Sequence, residues 1–475
     1  MRTARIAGSL LVRILDACVP SKGLIGVKPR SHRDAGESRK MRFVAYAGGL
    51  LGLTLLAAPC AAQTTDAPQK KSDVADLGKS EVSPPGLGLA RWINPATAPF
   101  IPVPVIGTDP NSGTTLGILP TWVHTNENDE ISRIIAPDFV HNPNFGYGAH
   151  GRIFDYPSDN EQWSVVAGIQ QRVQRLFDAE YQTELSRQQL WSINYSLIFN
   201  RDGTPRYFGL GDGSSKHDET DYTKVQELAQ LQVGLNLSHA WQLLYTLRPQ
   251  RVDVQSGTLQ GIPSIETLFP AIDGLGVSQV LLNRLSIVYD TRDNLVVPRQ
   301  GMEWVAYGGL ASRSGLLNDS LYSEAGIDGR AFWVIEPDAV LAAHASLRYM
   351  PSTHRVPFWA LSSIGGDRDE IGGTQELRGY GAGRYYDRNS FAATLELRKT
   401  MLSFDAASSH IDVEVTPFLD VGSVFAAAAN DPLTRLHKVV GLGFRGVARP
   451  FVVGYVDIGY GNEGVAAFTG INYPF

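Results

Sequence analysis

Cysteine is nearly absent: Cys18 and Cys60 are the only two in 475 residues, too few for a disulfide framework or a four-ligand zinc site. Basic charge is not in excess either. With 42 Lys and Arg against 48 Asp and Glu, nucleic acid is not an expected partner. Beyond residue 62 no apolar run reaches the length of about 18 residues that a spanning helix needs. Phosphate-cradling glycine loops, metal-ligand clusters and nucleotide motifs are missing, so no metal and no cofactor is expected. A hydrolase would need a positioned nucleophile, base and orienting group. His410, Asp412 and Glu414 alternate along one segment without a Ser-His or Asp-His arrangement, and no catalytic residue is expected.

What is present begins with an address. From Met41 the chain offers a positive Arg42, an apolar stretch over 43–58 and a small-residue site, Cys60-Ala61-Ala62, before Gln63. A run of about 16 is short for a spanning helix, and the pattern is that of a secretory signal peptide at 41–62. Residues 1–40 read as an upstream extension, with translation expected to start at Met41. Residues 1–62 hold ten Lys and Arg against three Asp and Glu, which leaves a formal charge of −13 on the rest. Residues 63–105, rich in Pro, Lys, Asp, Ala and Ser, read as a flexible periplasmic linker.

From 106 to 475 the hydrophobic period is two. In 191–200, Trp191, Ile193, Tyr195, Leu197 and Phe199 fall on one face, with Ser192, Asn194, Ser196 and Asn200 on the other. In 224–238, Val225, Ala229, Leu231, Val233, Leu235 and Leu237 alternate with Gln226, Gln230, Gln232, Asn236 and Ser238. Strands of soluble sandwiches run about 5–6 residues, whereas a tilted membrane-crossing strand needs about 9–11. Hydrocarbon offers no partner for a backbone amide, so such a sheet must close on itself. The expected fold is all-β, a transmembrane antiparallel barrel between lipid and a wet lumen. Seventeen segments qualify, from 113–125 to 464–475. Bacterial single-chain barrels have even strand numbers, so one segment between 161 and 201 is expected to be surplus and the count about 16.

The stretch between Met350 and Arg388 is too long and too charged for a turn. It carries glycine pairs at 365–366 and 372–373 and then Leu377-Arg378-Gly379-Tyr380. Loops of this length are usually functional, and this one is expected to fold into the lumen. In 410–425, parity places His410, Asp412, Glu414, Thr416, Phe418 and Asp420 on the lumen face, and in the preceding segment Glu396 and Arg398. Asp420 within Phe418-Leu419-Asp420-Val421-Gly422 is therefore available to a lumenal arginine through a bidentate bond. The plainer alternative is a set of solvated lumen charges worth no more than about 1 kcal/mol each. At the end, Thr469, Ile471, Tyr473 and Phe475 share one face of the last segment, and the chain stops on the aromatic.

These features resemble a family. The long loop with Leu377-Arg378-Gly379-Tyr380, the Phe418-x-Asp420-x-Gly422 motif two strands on and the terminal Tyr473-x-Phe475 resemble the barrel of BamA and TamA. These belong to the bacterial surface-antigen group of the outer-membrane-protein-85 superfamily. Asp290-Thr291-Arg292-Asp293-Asn294 with Pro298 and Gly301 resembles the family's turn between two central strands. The resemblance implies that Arg378 meets Asp420 on the barrel wall. It also implies a weak seam between first and last strands, which Gly464 and Gly470 would loosen, and a C-terminal recognition signal at Tyr473 and Phe475. It implies residence in the outer membrane of a Gram-negative bacterium, in contact with outer-membrane lipid. The implied partners are the barrel assembly machinery, for the chain's own insertion, and unfolded outer-membrane proteins as clients. The family's periplasmic POTRA domains do not fit into 63–105, so a barrel without them is expected. Two roles stand open: insertion or translocation of polypeptide, and a passive, cation-leaning channel or scaffold.

Overall fold

Alternation with period two gives every strand one apolar and one polar face, and closure lets each backbone find its neighbours without a free edge. The computed structural model realises this as 18 antiparallel strands in one closed sheet. It describes residues 100–126, 131–158, 160–184, 187–314, 319–366, 377–406, 409–427, 435–448, 451–470, 473 and 475. The expected extension, signal peptide and most of the linker lie outside the described residues.

The first six strands are β1 (Phe100–Asp109), β2 (Gly113–Thr125), β3 in two halves (Ile131–Ile135 and Asp138–Asn142), β4 (Gly146–Ser158), β5 (Glu161–Gln170) and β6 (Arg175–Thr183). β7 (Trp191–Asp202), β8 (Thr220–Asn236), β9 (Trp241–Ser256), β10 (Gly276–Asp290), β11 (Gly301–Ser312) and β12 (Ser320–Glu336) follow. β13 (Ala339–Thr353), β14 (Asn389–Ala406), β15 (Ser409–Phe425), β16 (His437–Ala448), β17 (Phe451–Gly461) and β18 (Gly464–Gly470) complete the wall. Among the described residues β1 and β18 close it through one register pair, Thr108 opposite Ala467.

Two expectations need correction. None of the segments between 161 and 201 is surplus, since all three form strands, and the odd count of seventeen signalled a missing strand. That strand is β1, which begins at Phe100 inside the expected 63–105 linker. Its sequence hides it: Pro102 and Pro104 argue against a central strand. β1 ladders with β2 along its whole length and, among the described residues, meets β18 at one register pair.

Parity holds on the wall. Trp191, Ile193, Tyr195, Leu197 and Phe199 are between 43% and 55% exposed on the outer face, while Ser192 and Ser196 are buried. Connections at one end are short, such as that between Glu336 and Ala339; at the other, 203–219, 257–275 and 354–388 are long. Short turns are periplasmic and long loops extracellular in such barrels. Around the short-turn end Trp241 packs on Tyr289 at 4.7 Å, with Trp304 opposite Tyr289 in register, an aromatic girdle of the kind that marks a membrane interface. At the long-loop end Tyr207, Tyr222, Ile265, Phe358 and Tyr386 pack into an apolar cap over the lumen.

Candidate functional site: a charged loop pinned inside the barrel

The 354–388 loop turns back into the barrel at Leu377. This residue has φ +67°, a region costly for a branched side chain. Packing fixes it there: Leu377 is fully buried with Ile364, Tyr380, Tyr385, Phe418, Val424 and Val439. Its carbonyl accepts the N–H groups of Gly379 at 2.8 Å and Tyr380 at 3.1 Å. The turn aims Arg378 at the wall.

Arg378 is fully buried and meets three carboxylates. Its Nε and Nη2 bind Asp420 bidentately at 3.0 and 2.8 Å, and its own backbone N–H adds a third bond to Asp420 at 3.0 Å. Nη1 donates to Glu396 at 2.5 Å and to Asp457 at 2.8 Å. The guanidinium also lies 3.6 Å above the Phe418 ring, a favourable face for a cation. Arg445 grips Glu396 with Nη1 at 3.0 Å and Nη2 at 2.8 Å, and Arg398 donates Nε to the same carboxylate at 3.0 Å. Three arginines thus balance Glu396, Asp420 and Asp457 in a dry cluster. Charges out of water are tolerable only when each has an opposite partner, as here, although Arg398 Nη1 and Arg445 Nε make no hydrogen bond.

Small residues make room for the loop. A Cβ on Gly459 would stand 2.2 Å from the Arg378 carbonyl oxygen, and one on Gly379 would stand 2.9 Å from the Gly461 nitrogen. Gly422, on the wall below, faces Leu377 and Ile364. Tyr380 packs against Tyr385 and His437, and its hydroxyl accepts the Asn462 N–H at 3.2 Å. Burial raises the Tyr380 phenol above its ordinary range, so it stays neutral. Gly459→Val is expected to evict the loop and leave the wall folded: limited proteolysis should newly cut near 377–380 while the heat-modifiable gel band persists. Unchanged protection would refute the close-packing account.

The structure brings Leu377, Arg378, Gly379, Tyr380, Phe418, Asp420, Gly422, Glu396 and Arg398 into one cluster. It adds members that sequence reading passed over: Asp457, Arg445 and Gly459. Their signal was parity alone, Val456, Ile458 and Tyr460 facing lipid while Asp457 and Gly459 face inward. His410 lies apart, 57% exposed and 3.4 Å from Asp412.

The C-terminus departs from its expected place. The described part of the last strand spans Gly464–Gly470, and Tyr473 and Phe475 enter the lumen instead of continuing on the face of Thr469; Ile471 lies outside the described residues. Tyr473 donates its hydroxyl to Glu414 at 2.8 Å and packs on Val297 and Val447. Phe475 fills a pocket of Phe332, Val340 and Ala342 and stacks on His344. Arg398 lies 3.9 Å over the Tyr473 ring and donates to the Phe475 main-chain oxygen at 3.3 Å. It therefore links the tail to Glu396. Val297 belongs to the 291–300 turn, held by the Arg292–Asp290 pair at 2.8 Å and by Asn294 accepting from Val296 and Val297. The other side of the lumen is open: a vestibule of about 1090 Å³ at the short-turn end carries Arg133, Arg187 and Arg292 among Asp155, Asp290 and Glu303.

A family model described as the Omp85 superfamily domain matches residues 159–445. Among solved structures, BamA from Haemophilus ducreyi lacking POTRA domains 1–3 is 14% identical, over 81% of this chain and 77% of that one, with TM-score 0.46. CdiB from Acinetobacter baumannii is also 14% identical, over 78% and 65%, with TM-score 0.44. CdiB from Escherichia coli is 10% identical, over 77% and 61%, with TM-score 0.38. No curated protein matches in sequence.

Proposed function

Since the chain belongs to the Omp85 superfamily and is an outer-membrane barrel of that family, we propose that it inserts or translocates polypeptide at the outer membrane through the seam between β1 and β18. The observation that carries this reading is the seam itself. Elsewhere neighbouring strands ladder over many residues, yet among the described residues β1 and β18 share one register pair, Thr108 with Ala467. A sheet edge held so weakly is a template for another strand. The pinned loop stands directly behind it, on β14 to β17, and gives the moving edge a rigid backing. Unfolded outer-membrane proteins are the proposed clients, and the vestibule gives them a polar approach from the short-turn side.

The vestibule also favours a second reading, a passive channel, although it is lined by both signs of charge and the cap covers its far end. One experiment separates the two. Residues 63–475 with Thr108→Cys and Ala467→Cys are reconstituted in liposomes, and the folding of an unfolded outer-membrane barrel is timed. Facing residues of an antiparallel pair lie within disulfide reach. Reduced protein should speed folding over empty liposomes about tenfold or more, and oxidised protein should not. Equal rates in both states would sink the seam reading, and ion conductance that survives oxidation would favour the channel.

A further inference from the structure

We propose that the lumen, one step beyond the vestibule, holds a site for one extended tripeptide gripped by its two terminal charges. The reason is an imbalance between two stretches of the inner wall. Phe177 on β6 faces lipid, so parity turns Asp178 and Glu180 inward. Among the described residues neither carboxylate has a cationic partner, and Asp178 Oδ1 is buried without a hydrogen bond. Arg152, two strands away in register, is held by Asp138. On β9 to β13 the sign is reversed. Glu324 is buried and receives Arg284 Nε at 2.8 Å and Arg348 Nε at 3.0 Å, and Arg248 adds a third positive charge beside it. The Arg284 and Arg348 side chains remain 24% and 20% exposed to the lumen. Three arginines on one acid leave a surplus of two positive charges, against two negative charges on β6.

The registers put the two groups at one height. Asp178 pairs with Ile198, seven residues along β7 from the outward Trp191, and Arg248 stands seven residues along β9 from the outward Trp241. β6 and β9 are three strands apart, roughly 14 Å along the wall at about 4.8 Å per strand. A free amino acid spans about 3.5 Å and falls short of that gap. Three extended residues span about 10 Å, and an ion-pair contact of about 2.8 Å at each end closes the rest.

Between the two groups lie polar side chains with nothing to bind. Ser196 on β7 is the register partner of Glu180, is 2% exposed, and its hydroxyl has no hydrogen-bond partner. Gln226 on β8 is fully buried, and neither its amide nitrogen nor its amide oxygen is paired. A buried polar group without a partner is costly, and each such group calls for an occupant. Peptide N–H and C=O groups supply both a donor and an acceptor, which a simple ion does not. The way in is open as well: Gln182, Asn194 and Gln232, one step nearer the short turns on β6, β7 and β8, line the vestibule. The bound peptide places its ammonium on Asp178 and Glu180, its carboxylate on Arg248 and Arg284, and its backbone on Ser196 and Gln226.

The test is calorimetric titration of the protein in mild detergent with trialanine, N-acetyl-trialanine, trialanine amide and free alanine. Wild type should bind one trialanine per barrel, and each of the other three at least fivefold more weakly. Asp178→Asn with Glu180→Gln should weaken trialanine fivefold or more and erase the preference over the acetylated peptide. Arg248→Gln should do the same for the amide, each variant keeping the folded gel mobility. If a variant fails to fold, the four ligands on wild type still decide. No saturable binding of trialanine, equal binding of the capped peptides, or a folded Asp178→Asn, Glu180→Gln protein that binds as wild type does would overturn the proposal.

Discussion

Arg378→Ala is expected to lower the stability of the barrel by about 3–5 kcal/mol, the usual cost of stranding a buried charge. The loss falls unevenly. Glu396 keeps Arg445 and Arg398, and Asp457 keeps Arg445 at 3.4 Å. Asp420 loses both of its charge-assisted side-chain bonds to Arg378 and keeps the backbone N–H of residue 378. Urea unfolding from lipid vesicles measures the change, and the loop should become sensitive to protease in the same range of urea. Arg378→Lys should fall between, since an ammonium cannot bind Asp420 bidentately and still reach Glu396 and Asp457. Wild-type stability in Arg378→Ala would mean that the cluster is solvated and holds nothing.

The partner experiment follows from the geometry. Exchanging the two charges, Arg378→Asp with Asp420→Arg, would set a third carboxylate beside Glu396 and Asp457, so it is not expected to rescue. Asp420→Ala in the Arg378→Ala background should instead recover part of the loss, because the orphaned carboxylate goes with it. Strict additivity of the two alanine changes would argue against direct contact. A pairwise reading suggests the exchange; the three-acid arrangement forbids it.

That contrast marks what was legible in the sequence. Parity alone places Asp420, Glu396 and Arg398 in the lumen, because in a strand the side-chain period is two and one face meets lipid. It cannot tell which inward residues of the neighbouring strands β14 to β17 share a level on the wall, since that is set by the register between strands. Asp457 and Arg445 were therefore open to parity yet had no local reason to be chosen. β1 was lost for another reason: Pro102 and Pro104 argue against a central strand, yet the segment ladders with β2 over its whole length at the seam of the closed sheet. The terminal alternation misled in the opposite direction. It continues to Phe475, but Tyr473 and Phe475 leave the outward face, because they find aromatic, apolar and cationic partners inside the lumen.

Phe475→Ala is expected to loosen the seam more than the barrel. Emptying a buried phenylalanine site costs about 3 kcal/mol or more, and here the loss is concentrated on a tail whose remaining holds include Tyr473 on Glu414, Val297 and Val447 and Arg398 on the main-chain oxygen. β18 spans Gly464–Gly470 and, among the described residues, is tied to β1 at one pair, so the pocket of Phe332, Val340 and Ala342 on β12 and β13 anchors the chain beyond its short-turn end. Hydrogen exchange in β18 should rise tenfold or more in Phe475→Ala, while β8 to β13 keep wild-type protection apart from the pocket itself. Cross-linking of Thr108→Cys to Ala467→Cys should become slower in the same background. If β18 exchanges at the wild-type rate, the tail merely fills space. If β18 loosens and client folding also accelerates, the buried aromatic is what keeps the seam shut at rest, and the arginine cluster is reached from the seam through Arg398.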